Sequence, residues 1–185
     1  MSKSIPKLSD IHTIVFDFDG VFTDNKVWVD QNGNESVCCD RGDGLAFDLM
    51  RSFKRKYQLD INFLIVSKEK NSVVSIRAKK LNLECKQGID NKLDFINKYL
   101  QKKFPNTSNP LNGLIALGND LNDLQLMKEA AYSVSPSDAH PMIKDIADLI
   151  LPQKGGEGFV RAFIEELIDF EKLSEDDINE LIFDS

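Results

Sequence analysis

Five short apolar runs, at 13–18, 62–67, 114–118, 132–135 and 148–151, alternate with stretches whose apolar residues recur at helical spacing, at 45–56, 71–81, 91–103, 121–131 and 141–147. Runs this short, without polar alternation, suit strands buried on both faces. Strand alternating with helix predicts an α/β fold, a doubly wound parallel sheet with helices on both sides. At 185 residues the chain is long enough for one such domain with a sizeable core, spanning 1–185. Open sheets of this kind bind ligands beyond the carboxyl ends of their strands. Asp17, Ser67 and Asn119 stand at or just past three such ends, so chemistry is expected there.

One segment interrupts the alternation. Two β-prone runs at 26–30 and 35–39 flank Gln31-Asn32-Gly33-Asn34, and Asn-Gly between such runs is a strong hairpin signal. The spacing predicts a short β-hairpin flap over about 25–40, directly after the first strand and projecting over the site. No later insertion is long enough for a separate cap domain. In the tail, about 154–185, Lys154-Gly155-Gly156-Glu157-Gly158 reads as a flexible loop, followed by a helical pattern over 159–173. Ser174 with Asp177 three residues on forms a capping-box pattern that opens a last short helix.

Composition narrows the function. A net charge of −7 disfavours nucleic acid or an anionic membrane as partner. No apolar run approaches the ~20 residues of a membrane span, and residues 1–10 lack the shape of a signal peptide. The expectation is a soluble cytoplasmic protein. Cys38, Cys39 and Cys85 match neither a disulfide framework nor a zinc site, and His12 and His140 lack metal-ligand spacing.

The residues that carry chemistry lie at the strand ends. Asp17 and Asp19 are spaced i, i+2 and so share a face of an extended chain. Hard carboxylate oxygens suit Mg²⁺, and a carboxylate is also a known phosphoryl acceptor. Taken alone, the pair reads equally as an Asx-type turn. Ser67 either caps the next helix or binds an anion at its start. Lys92 is either a solvated helix lysine or a charge held for a phosphate. Gly118-Asn119-Asp120-Leu121-Asn122-Asp123 reads as a helix start with acidic first-turn residues.

Together these segments resemble a known family. Asp17-Phe18-Asp19-Gly20-Val21-Phe22-Thr23-Asp24 resembles the first motif of the haloacid dehalogenase (HAD) superfamily of phosphatases. Ser67, Lys92 and Gly118-Asn119-Asp120 follow in the order of its other three motifs. The resemblance implies Asp17 as nucleophile and Mg²⁺ ligand, and Asp19 as general acid/base with its carbonyl on the metal. It implies Ser67 and Lys92 on the phosphoryl group, Asn119 as metal ligand where the family usually has Asp, and Asp120 and Asp123 close behind the ion.

The short flap without a cap resembles the capless branch, which holds KDO (3-deoxy-D-manno-octulosonate) 8-phosphate phosphatases and 9-phosphatases of nine-carbon, sialic-type acids. It also holds domains attached to N-acylneuraminate cytidylyltransferases. Asp43-Gly44-Leu45-Ala46, Val134-Ser135-Pro136-Ser137-Asp138-Ala139 and Gly155-Gly156-Glu157-Gly158-Phe159-Val160-Arg161 resemble further segments of that branch. The implied activity is Mg²⁺-dependent hydrolysis of a phosphorylated 2-keto-3-deoxy sugar acid. Ser67-Lys68-Glu69-Lys70, with Arg77 downstream, leans toward a nine-carbon substrate, with Glu69 and Arg77 reading the sugar acid. The branch implies a homotetramer in which flaps pack together and Arg161 approaches a neighbour's substrate. Asn119 motivates a rival, a catalytically weak assembly module beside a separate cytidylyltransferase.

Overall fold

The structure is a computed structural model and describes residues 3–183. In chain order its elements are β1 (Thr13–Phe16), β2 (Trp28–Val29), β3 (Glu35–Ser36), α1 (Gly42–Lys56), β4 (Asn62–Val66), α2 (Val73–Lys80), β5 (Glu84–Lys86), α3 (Lys92–Lys103), β6 (Leu114–Leu117), α4 (Leu124–Glu129), β7 (Tyr132–Ser135), α5 (Pro141–Ile146), β8 (Leu149–Ile150), α6 (Phe159–Leu167) and α7 (Glu175–Phe183). Six strands form one parallel sheet in the order β5-β4-β1-β6-β7-β8. The doubly wound α/β reading holds, and no separate cap domain is present among the described residues.

Strand periodicity sorts the core into two layers. Ile14 and Phe16 of β1 face one side, packing with residues of α1 and α6. Val15 faces the other, with residues of α3, α4 and α5. The Phe16 ring meets Phe22, Phe47, Phe63 and Phe163 at centroid separations between 5.6 and 6.4 Å. Aromatic burial on this scale dominates a core's energetics, and it anchors β1 immediately before Asp17.

The elements depart from the sequence pattern in four places. Strand β5 is an additional edge strand; its Glu-Cys-Lys sequence carries no apolar run. Helix α1 starts at Gly42, ahead of the expected 45, because the Asp40 carboxylate accepts the Gly42 N–H at 2.6 Å. Helix α4 starts at Leu124 because residues 119–123 wrap around the Asp123 carboxylate. The 159–173 pattern breaks after Leu167, where Asp169 takes a left-handed conformation with φ 54° and a 3₁₀ turn follows. The capping box is formed: Ser174 Oγ accepts the Asp177 N–H at 3.1 Å, and Asp177 accepts the Ser174 N–H at 3.2 Å.

The flap is a two-stranded antiparallel hairpin, closed at its base by a Thr23–Cys39 bridge. Asp30 organises its turn, accepting the Asn32 and Asn34 N–H groups at 2.8 and 2.9 Å. The flap leans toward the carboxyl end of the sheet, where Glu35 accepts from the Asn71 amide at 2.9 Å. No helix among the described residues is long and apolar enough to cross a membrane.

Candidate active site

A cavity of about 490 Å³ opens beyond the carboxyl ends of β1, β4 and β6. Asp17, Asp19, Ser67, Glu69, Asn119 and Asp120 line it. Asp17 is the first residue past β1, and its N–H still continues the ladder to Leu117 O at 2.9 Å. Its carboxylate is 4% exposed and takes two donors on Oδ1: the Phe18 N–H at 2.7 Å and the Lys92 ammonium at 2.7 Å. The described residues give Oδ2 no hydrogen bond.

Lys92 is the first residue of α3 and only 2% exposed. Its ammonium bridges Asp17 and Asp123, the latter at 2.6 Å. Burial works to lower the Lys92 pKa, but the two carboxylates outweigh it, so the value is raised and the group stays charged. Asp123 is itself pushed up, by burial first and then by the Asp17 charge, against the pull of Lys92. Its other oxygen accepts the Asn119 N–H at 3.0 Å and the Asp120 N–H at 3.4 Å. Asp123 thus shapes the loop that presents Asn119.

Asp19 is half-buried, and its carboxyl is pushed up to about 6 by burial and then by the charges of Asp17 and Glu69, with Lys92 opposing. A carboxyl in that range can both give and take a proton near neutrality. Gly20 turns the chain with φ +75°, a region that side chains disfavour. A Cβ there would come within 1.9 Å of Asn119 Nδ2, so only glycine lets the two loops meet. The buried Thr23 hydroxyl closes the turn, accepting from Gly20 N at 3.1 Å and Asn25 N at 3.2 Å.

Ser67 is buried at the end of β4, its N–H bonded to Lys86 O at 3.0 Å. Its hydroxyl accepts the Glu69 N–H at 3.0 Å, so it closes a local turn; α2 begins only at Val73. Glu69 lines the cavity and accepts the Lys70 and Asn71 N–H groups at 2.6 and 2.8 Å. Arg77 and Arg161 do not line it. Arg77 donates to Asp40 O at 2.6 Å and lines a separate cavity with Arg41 and Lys80. Arg161 pairs with Glu165 at 2.8 Å on its own helix. Lys68, Lys70, Asn25, Asp90 and Asn122 also line the cavity, and the sequence assigns none of them a role of its own. The two lysines flank Glu69, which was the available signal; the others are brought in by loop geometry alone.

The Asn119 Oδ1 atom is buried without a hydrogen-bond partner. Among the described residues no group of three or more His, Cys, Asp or Glu side chains stands ready for a metal. The oxygens at the cavity are instead mixed, carboxylates of Asp17 and Asp19 and the amide of Asn119. All are hard donors of the kind Mg²⁺ accepts, and an orphaned buried amide oxygen fits a cation.

Comparison with known proteins places the chain in a family. The chain is 28% identical over 165 residues to 3-deoxy-D-manno-octulosonate 8-phosphate phosphatase KdsC of Escherichia coli K12, covering 89% of this chain and 82% of that protein. A HAD family hydrolase structure from Streptomyces avermitilis matches with a TM-score of 0.80 and 30% identity, covering 94% of this chain and 95% of the other. A Moraxella catarrhalis 3-deoxy-D-manno-octulosonate 8-phosphate phosphatase, in complex with magnesium, phosphate and KDO, shares the fold at a TM-score of 0.78 and 24% identity, covering 96% and 94%. The profile of the haloacid dehalogenase-like hydrolases matches residues 4–163, and the chain belongs to that family.

Proposed function

We propose that this enzyme is a Mg²⁺-dependent phosphomonoesterase acting on a phosphorylated 2-keto-3-deoxy sugar acid through an aspartyl-phosphate. One observation carries the reading: Lys92 holds Oδ1 of Asp17 at the cavity floor and leaves Oδ2 without a donor, beside the raised carboxyl of Asp19. Asp17 Oδ2 attacks phosphorus in line, and the bond from phosphorus to the sugar oxygen breaks. Asp19 gives its proton to the departing alkoxide. The Asp19 carboxylate then takes a proton from water as that water attacks phosphorus, releasing inorganic phosphate and restoring Asp17. Ser67 and Lys92 steady the phosphoryl oxygens.

Asp17, the Asp19 carbonyl and Asn119 would hold the metal, with Asp120 and Asp123 behind them. Bound there, Mg²⁺ supplies charge neutralisation between a carboxylate nucleophile and a phosphate dianion. Asn119 keeps an oxygen donor but contributes no charge, so Asn119→Asp lowers the Mg²⁺ concentration needed for half-maximal rate.

KDO 8-phosphate is the favoured substrate, because the curated relatives matched over most of the chain carry that activity in their names. A nine-carbon 9-phosphate remains the second reading, on the strength of Ser67-Lys68-Glu69-Lys70. It keeps Glu69, which lines the cavity, and loses the support of Arg77, which does not. Phosphate release from KDO 8-phosphate and N-acetylneuraminate 9-phosphate, assayed side by side with and without Mg²⁺, decides between them. Asp17→Asn should abolish turnover while the fold persists; retention of the wild-type rate would sink the mechanism. The assembly-module alternative requires no phosphatase activity in wild type or Asn119→Asp, with or without metal. The assembled Asp17–Lys92–Asp123 bridge speaks against it.

A further inference from the structure

We propose that the loop between β7 and α5 is a brace that positions the Asp19 turn, with Asp138 as a positioning residue; its kinetic consequence rests on the phosphatase reading above. Two segments singled out in the sequence, 134–139 and 155–158, have no part in the chemistry so far, yet they meet behind the active site. Asp138 Oδ1 accepts the Gly155 N–H at 3.0 Å. Two residues on, the His140 N–H donates to Asn119 O at 2.8 Å. One loop therefore holds both the tail glycines and the main chain of the amide expected on the metal. The loop is itself tied down: Ser137 N–H donates to Gln153 O at 3.0 Å, and Lys144 donates to Ser137 O at 3.2 Å.

The tail glycines lie flush against the Asp19 turn. A Cβ at Gly155 would come within 2.0 Å of Gly20 O, and one at Gly156 within 2.4 Å of Asp24 N. The Gly156 N–H donates to Val21 O at 3.2 Å. Gly20 in turn packs on the Asn119 side chain. The contacts close a circuit from Asp138 through Gly155, Gly20 and Asn119 back to His140. The expected flexible loop at 154–158 is thus a packed main-chain strap. Within this circuit, the Asp138 carboxylate is a side-chain link that can be removed without opening the core, because Asp138 is exposed. Its loss frees Gly155, and with it the peptide that follows Asp19. Small misplacements of a catalytic group cost large factors in rate.

The test compares Asp138→Ala with Asp138→Asn, which keeps the acceptor oxygen. Hydrogen exchange is followed in peptides covering 18–25, and kinetics with KDO 8-phosphate and p-nitrophenyl phosphate. Asp138→Ala should speed exchange across 18–25 about tenfold and lower kcat about tenfold, with KM within about twofold. Asp138→Asn should stay near wild type in both readouts. Unchanged exchange in the alanine variant overturns the brace, as does faster exchange with unchanged kcat, or equal losses in both variants. If wild type turns over neither of these nor N-acetylneuraminate 9-phosphate, the phosphatase reading fails, while the exchange comparison still decides the brace.

Discussion

An ammonium at the first residue of a helix is misplaced twice, since burial and the helix dipole both oppose it. Lys92 occupies that position because Asp17 and Asp123 approach its Nζ at 2.7 and 2.6 Å. Its contribution is electrostatic: it pairs with the Asp17 carboxylate and offsets charge that develops on a phosphoryl group. Lys92→Met should therefore lower kcat by at least about 10²-fold. It should also lower the melting temperature, because two buried carboxylates lose their cation. A kcat within twofold of wild type in steady-state assays would remove Lys92 from the mechanism. The same residue shows why spacing was insufficient. Position 92 on an amphipathic helix reads as solvent-facing until β1 and the 118–123 loop are folded around it.

At the scale of elements, the flap stands apart from the main sheet. Its strands pair only with each other, and Val27, Trp28 and Val29 are 56%, 73% and 62% exposed. Three consecutive exposed apolar residues on a hairpin suit burial against another surface, which agrees with the homotetramer proposed from the family resemblance. Trp28→Glu should convert that oligomer to smaller species in sedimentation velocity, with the far-ultraviolet circular dichroism retained. A monomeric wild type at micromolar concentration would rule the flap interface out. Asn-Gly located this hairpin because its turn chemistry is local. Strand β5 is not legible in the sequence, because an edge strand three residues long, with two charged residues, is selected by its pairing to β4 rather than by its own pattern.

For the whole molecule, Asp43 links stability to pH. It lies in the first turn of α1, is 1% exposed, and neither carboxylate oxygen has a hydrogen-bond partner among the described residues. Burial, then the Asp40 charge, pushes its carboxyl up to about 7, with Arg77 opposing. Between about pH 4 and pH 7 the unfolded chain releases this proton and the native state keeps it. The native state then binds more protons, so stability falls as pH rises through that window. The loss is on the order of 4 kcal/mol at most. Asp43→Asn should flatten this dependence, read as a smaller difference between urea unfolding free energies at pH 5 and pH 8. An unchanged difference would show that Asp43 is not its source.

The sequence by itself determined five of the six strands of the sheet, the hairpin and the order of the four motif segments, because strand burial, turn chemistry and helix starts are written in local residue patterns. It placed Asp17, Asp19, Ser67 and Asn119 at one end of the sheet through topology alone. Tertiary structure decided what each side chain touches. It turned Lys92 inward and set Arg77 on Asp40 and Arg161 on Glu165, away from the cavity. It also made a strap of the tail glycines, pressed against Gly20. The inward turn of Lys92 and the strap depend on contacts between segments distant in the chain, Lys92 with Asp17 and Gly155 with Gly20, where a missing Cβ or a buried charge matters only once both surfaces are in place.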